Sequence, residues 1–191
     1  MLKIYGSTTS PFVRRLRIWL ANVEHEFINL QIFSGPDREF LASLNPTLKI
    51  PMIDDEGQII YDSRVIFRYL TGKLGYSVPD WRQENLLTLI DSVNDTLVQA
   101  LIMKRSGIEA DPDKLIFKLQ NDRIETILNH LNEKVEQGEF GGWGYPEVCL
   151  YCLIDWVEFR ELHDLSQMQS LLAFQARHQN KIEVTATNPR G

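Results

Sequence analysis

Only two of the 191 residues are cysteine, Cys149 and Cys152. A disulfide scaffold is thereby excluded, and a reducing, cytoplasmic setting is the expectation. Long hydrophobic runs are missing too. No stretch reaches 18 uninterrupted apolar residues, so no membrane span is expected, and Met1-Leu2-Lys3 leads into too short an apolar run for a signal peptide. Positive charge is in deficit: 20 Lys and Arg stand against 26 Asp and Glu, a formal charge of −6. That lacks the basic footprint a nucleic-acid or anionic-membrane partner requires, and Arg14-Arg15 with Arg17 is too short a run to supply one. The histidines, His25, His130, His163 and His178, are scattered without ligand spacing, so no metal is expected. The chain also has no internal repeat and no low-complexity segment.

What remains is ordinary globular material, 43% hydrophobic and 24% charged, enough for one large domain or two small ones, each with a core. Leu2-Lys3-Ile4-Tyr5 reads as a strand. From Phe12 the residues Phe12, Leu16, Trp19, Leu20 and Val23 fall on one helix face, with Arg14, Arg15 and Arg17 mostly off it. Glu26-Phe27-Ile28-Asn29-Leu30 is the next strand, which makes a βαβ unit. A break at 34–37 precedes a short helix over 38–44. Asn45-Pro46 stops it, Ile50-Pro51-Met52-Ile53 is a strand that begins at a proline, 54–57 is a turn, and Gln58-Ile59-Ile60-Tyr61 returns as a hairpin. Asp62-Ser63 opens a helix that ends near Gly72. After this the pattern becomes purely helical: 83–106, a helix opened by Asp111-Pro112 and closed by Gly138, another over 145–161, and a last one over 165–178. The expected fold is α/β plus all-α. A thioredoxin-like domain over 1–75, in the order βαβ then αββα, is followed by a helical bundle over 83–191, with a linker at about 76–82.

The chemistry concentrates in the first domain. Ser7-Thr8-Thr9-Ser10 sits where a strand hands over to a helix, and Pro11 makes Ser10 the natural N-cap. Such a turn either only caps the helix or also holds an anion or thiolate among free N–H groups at the positive end of the dipole. Ile50-Pro51 offers an extended backbone and a candidate cis peptide. Asp62-Ser63 lies at a helix start, where a hydroxyl and N–H groups can grip a carboxylate and Asp62 an ammonium. Together these suit a small γ-linked thiol peptide. Cys149-Leu150-Tyr151-Cys152 is a CxxC, but it lies within an apolar helical run and reads as core.

Thr9-Ser10-Pro11-Phe12 with Arg15-Leu16-Arg17-Ile18, Asn45-Pro46-Thr47-Leu48-Lys49-Ile50-Pro51, and Asp62-Ser63-Arg64-Val65-Ile66-Phe67-Arg68-Tyr69-Leu70 carry a resemblance. Over essentially its whole length the chain resembles the cytosolic-type glutathione S-transferases, of the bacterial-like, serine-type sort. The resemblance implies glutathione as co-substrate and no metal. Ser10 would be the catalytic hydroxyl donating to the thiolate, with Thr9 as alternative. Phe12, Lys49, Ile50, Pro51, Asp62 and Ser63 would bind glutathione: the Ile50 backbone pairs with its cysteinyl part, Asp62 and Ser63 hold the γ-glutamyl end, and Lys49 reaches the glycyl carboxylate. Leu101, Met103 and Trp143 would line a pocket for a small hydrophobic electrophile. A cytoplasmic homodimer with a part in detoxification is the corresponding expectation.

Two departures qualify the resemblance. Gly144 stands where the helix at 145 usually has a Ser or Thr cap, leaving Glu147 as the surviving half of that box. Ser10 stands where omega-type relatives carry cysteine, and serine forms no mixed disulfide; the Ser-Ser-Cys block of zeta-type isomerases is absent as well. The rival readings are a non-catalytic binding or regulatory protein of the stringent-starvation type and a glutathione-dependent peroxidase or lyase.

Overall fold

A computed structural model describes all residues, 1–191. Its packing divides the chain into two units, Met1–Val78 with Asn180–Gly191, and Pro79–Gln179. The sequence pattern groups 180–191 with the helical part. The segment packs instead with the first unit, because buried Val184 and Thr187 and a short helix there dock on the first helix.

In the first unit, β1 (Leu2–Gly6), α1 (Pro11–Trp19) and β2 (His25–Asn29) form the expected βαβ, with β1 and β2 parallel. α1 stops earlier than the apolar spacing suggests, at a turn closed by Val23 N–H donating to Leu20 O at 2.8 Å. α2 (Gly35–Leu44) is longer than expected: the break residues are its first turn, with Pro36 where a missing N–H costs nothing. β3 (Met52–Asp55) and β4 (Gln58–Tyr61) are a hairpin around Glu56-Gly57, both at positive φ (56° and 93°), as a tight two-residue turn requires. α3 (Ser63–Leu74) ends on Gly75 in the left-handed conformation, past the Gly72 stop read from sequence. The sheet order is β2-β1-β3-β4, with β3 antiparallel to both its neighbours.

Successive residues of β1 face opposite sides of this sheet. Tyr5 and Met52 join Leu30 and Leu41 in one core layer. The other layer includes Ile4 and Ile53, with Leu16 of α1 and Ile66, Phe67 and Leu70 of α3, all buried. Trp19 meets Phe67 edge-on at 4.9 Å. The arginines expected off the apolar face are in fact inside: Arg14 is 4% exposed and Arg15 0%. Arg15 lies over the Phe12 ring, 4.7 Å from its centroid, so the aromatic takes the more exposed position and shields the cation.

The second unit holds α4 (Trp81–Arg105), α5 (Leu115–Glu136), α6 (Tyr145–Arg160) and α7 (Gln169–His178). α4 is long and apolar enough to cross a bilayer by composition alone. Its Leu86, Leu87, Ile90, Val93 and Leu97 are buried, and it packs on α5 and α6. α6 is buried from Tyr145 to Val157, and its Cys149 and Cys152 are buried and not joined in a disulfide. Glu147 keeps its half of the N-terminal box, accepting from Gly144 N–H at 2.9 Å. Asp111-Pro112 does not open α5: the Asp111 carboxylate accepts from Asp113 N–H at 2.9 Å, a local turn that competes with a helix start. α7 begins later than its apolar pattern, where Asn132 of α5 accepts from the N–H groups of Ser170 (3.0 Å) and Leu171 (3.1 Å). α8 (Ile182–Thr185), within the segment that rejoins the first unit, has no counterpart in the sequence reading.

Gly6 ends β1 against α1. A Cβ there would stand 2.4 Å from Val13 Cγ2 and 2.9 Å from Cγ1. Only a residue without a side chain lets α1 approach this strand. Gly6→Ala is expected to cost about 1–3 kcal/mol through overpacking, with Val13→Ala in the same chain recovering part of it, read from denaturant midpoints. At the opposite end of β3, buried Asp55 accepts from Lys73 Nζ (2.6 Å) and the Tyr69 hydroxyl (2.7 Å). The Lys73 ammonium holds the Asp55 carboxyl below the usual range against the opposing pull of burial, with Tyr69 helping. A carboxyl depressed in the folded state lends stability that is present above its unfolded pKa, about 3.9, and is lost as pH falls through the lower folded value. Asp55→Asn should therefore flatten the acid limb of a stability–pH curve below about pH 4.

Candidate functional site

Strand register gathers the site. Tyr5 pairs with Met52, and Met52 with Tyr61. The antiparallel order then puts the exit of β1, the approach to β3 and the exit of β4 at one edge of the sheet, on strands spaced about 4.8 Å apart. Those three places are the Ser7–Ser10 turn, Ile50-Pro51 and Asp62-Ser63. β2 finishes at the same edge, and Asn29 Oδ1 accepts from Thr8 N–H at 3.1 Å.

In the first wall, Ser10 is the N-cap of α1, with its Oγ accepting from Val13 N–H at 3.4 Å. An accepting hydroxyl retains its own proton for donation. Ser10 N–H donates to Ser7 O at 3.1 Å, which closes the turn. The Thr9 hydroxyl is paired with that of Ser7 at 3.2 Å. Phe12, partly buried and covering the Arg15 guanidinium, stands on the first turn of the helix. On the next turn, burial lowers the Arg17 pKa, and Arg14 lowers it further.

The second wall is the loop before β3. The Ile50-Pro51 bond is cis, and Ile50 lies outside the ladder, which begins at Met52. Fully buried Asn45 frames the loop: its Nδ2 donates to Lys49 O (2.8 Å), and its Oδ1 accepts from Thr47 N–H (2.9 Å) and Thr47 Oγ1 (2.7 Å). Leu48 takes a left-handed φ of 56°, a conformation costing a branched residue of order 1 kcal/mol. Arg38 of α2 donates to Leu48 O at 3.1 Å and to Ile32 O at 3.3 Å, tying the loop to the one after β2. The Lys49 side chain is exposed.

In the third wall Asp62 is the N-cap of α3, its Oδ1 accepting from Arg64 N–H (2.9 Å) and Val65 N–H (3.2 Å). Its φ of 73° is unusual for a residue with a side chain. Ser63, 4% exposed, follows as the first helical residue. A helix start of this kind presents N–H donors and a partial positive charge to an anion.

Of the residues expected to line an electrophile pocket, Leu101 and Met103 are half-buried on the last turns of α4, and Met103 Sδ accepts from Gln120 Nε2 at 3.9 Å. Trp143 stacks on His178 with centroids 4.3 Å apart and meets Tyr151 edge-on, both in its own unit. Sequence reasoning misses Asn45 and Arg38 as the frame of the second wall, and Arg14 altogether. Asn45 carries a partial signal, a side chain able to bond its own backbone next to Pro46; a tertiary partner such as Arg38 or Arg14 leaves none.

Residues 4–75 match the family of the glutathione S-transferase N-terminal domain. Among curated proteins the chain is similar to an uncharacterized glutathione S-transferase-like protein, YibF, of Escherichia coli, 26% identical over 174 residues that make up 84% of each chain. A glutathione S-transferase from Methylobacillus flagellatus, solved with glutathione bound, superposes with a TM-score of 0.85 over 99% of this chain and 100% of that one at 23% identity. A glutathione transferase family member from Pseudomonas fluorescens, also with bound glutathione, gives a TM-score of 0.78 over 99% of each chain at 22% identity. Residues 4–75 thus carry the glutathione S-transferase N-terminal domain, and the chain as a whole shares the fold of these solved transferases.

Proposed function

We propose that this protein is a glutathione transferase. It binds glutathione at the three-walled edge of the first unit and delivers the thiolate to a small hydrophobic electrophile. The observation that carries this reading is the convergence of the Ser10 turn, the Ile50-Pro51 loop and the Asp62-Ser63 helix start at one end of the sheet. The glutathione bound in the two bacterial relatives supports the choice of ligand.

Each wall has a chemical task. The Ser10 hydroxyl donates to the thiol sulfur, which favours its charged form. Lowering a thiol from about 8.5 to about 6.5 takes roughly 2.7 kcal/mol. One charge-assisted hydrogen bond and the start of α1 are of that order. Ser10 is preferred to Thr9 because it is the N-cap of α1, where its hydroxyl lies at the positive end of the helix dipole. The Ile50 backbone pairs with the cysteinyl amide, Ser63 and the start of α3 receive the γ-glutamyl carboxylate, Asp62 takes its ammonium, and Lys49 reaches the glycyl carboxylate. Phe12 and Pro51 complete the apolar lining.

In the reaction the thiol proton leaves to water. The sulfur lone pair forms the new bond to an electrophilic carbon, and the leaving group departs with the electrons of the bond it loses. A cytoplasmic homodimer with a detoxifying role is the setting that goes with this reading.

Retention on immobilised glutathione and turnover of a chloronitrobenzene test the proposal. Wild type is expected to be retained and active. Ser10→Ala should remain bound yet lose about 10²-fold in turnover, the usual cost of removing one donor to a developing or settled anion. Asp62→Asn should weaken glutathione binding about tenfold, as the loss of a charge-assisted contact does. No retention of wild type would overturn the glutathione reading. Retention without turnover, indifferent to Ser10→Ala, would favour the binding-protein alternative.

A further inference from the structure

Arg14 does something the sequence pattern does not suggest. It is almost wholly buried, and its guanidinium is held by a part of the chain about 170 residues away. Nη2 donates to Val184 O at 3.2 Å and Nε to Thr187 Oγ1 at 3.4 Å. Val184 and Thr187 are buried too, and the Thr187 hydroxyl in turn donates to Glu183 O at 2.8 Å. All of these lie on the segment Asn180–Gly191, which packs with the first unit. At its other end, the Arg14 main-chain N–H donates to Ser10 O at 3.0 Å. One residue thus bridges the carbonyl of Ser10 and two acceptors on a remote strap.

The start of α1 needs such an anchor. Pro11 brings no N–H, the first turn has no acidic residue to stabilise it, and the cap bond from Val13 N–H to Ser10 Oγ is long at 3.4 Å. Helix ends held only by local contacts fray. A hydroxyl that must meet a thiolate has to be fixed within about 0.5 Å. The planar guanidinium fork suits this work, because it sets an orientation as well as a distance.

We propose that Arg14 is a positioning residue: with Val184 and Thr187 it pins the first turn of α1 and so sets the aim of the Ser10 hydroxyl at the glutathione thiolate. This rests on the assignment of Ser10 made above. The glutathione peptide is held by other walls, at Ile50, Asp62 and Ser63, so loosening the anchor uncouples thiol ionisation from binding.

The test measures two quantities in wild type, Arg14→Met, Thr187→Val and Ser10→Ala: glutathione affinity by calorimetry, and ionisation of the bound thiol by ultraviolet thiolate absorbance across pH. In Arg14→Met the bound thiol should titrate about one unit higher, a tenfold smaller thiolate fraction below its pKa, while affinity for S-methylglutathione, which has no thiol, changes less than about twofold. Thr187→Val removes a single acceptor and should shift the thiol in the same direction by a smaller amount. If Arg14→Met fails to fold, the Thr187→Val titration decides the question in its place. A folded variant whose thiol titrates as in wild type, while Ser10→Ala raises it, would overturn the positioning role alone. If Ser10→Ala also leaves the titration unmoved, the Ser10 assignment fails and takes this proposal with it.

Discussion

The pairing of β3 with strands on both sides is the constraint on which everything else rests. Because β3 runs antiparallel to β1 and to β4, Tyr5, Met52 and Tyr61 lie in one row across the sheet. The loops that leave or enter the sheet at that row then have no choice but to share an edge. A one-residue slip of β3 would turn Met52 out of the core layer it shares with Tyr5, Leu30 and Leu41. The register that buries Met52 is therefore the same register that delivers Ile50-Pro51 to Ser10 and Asp62. Core packing and the meeting of these three loops are set by one set of backbone hydrogen bonds.

Local structure at that edge is strained at two positions. Leu48 and Asp62 hold positive φ without being glycine. Such conformations persist where surrounding contacts over-determine them, and they gather at functional sites. The contacts are identifiable here: Asn45 and Arg38 around Leu48, and the two N–H groups of α3 on Asp62. Arg14 with its strap does the same beneath Ser10. Each is a polar contact that fixes backbone, which is what a site built on loops needs in order to be as exact as one built on strands.

How much of this is legible in the sequence depends on whether the cause is local. The βαβ order, the hairpin, the helix start at Asp62-Ser63 and the cis candidate at Ile50-Pro51 all have causes within a few residues, and all can be read. The three loops that meet at one end of the sheet are legible for the same reason, since turn chemistry and caps are local. Element ends set by tertiary partners are not: α7 starts where Asn132 of another helix supplies its cap. α5 starts late because Asp111 commits its carboxylate to a turn, a local alternative that the same residues disguise as a helix start. The burial of Arg14 and Arg15 escapes the pattern for a related reason. Periodicity counts apolar residues, and a cation buried against a ring or a remote carbonyl is invisible to it. The attachment of 180–191 to the first unit is a long-range fact of the same kind.

The central claim is that the three loops form one site for one peptide. A crystal structure with glutathione tests it most directly. The account predicts the cysteinyl amide paired with the Ile50 backbone, the γ-glutamyl end at Asp62 and Ser63, and the sulfur within hydrogen-bond reach of Ser10 Oγ. Glutathione bound away from this edge, or bound there with its sulfur against Thr9 or against no hydroxyl at all, would contradict it.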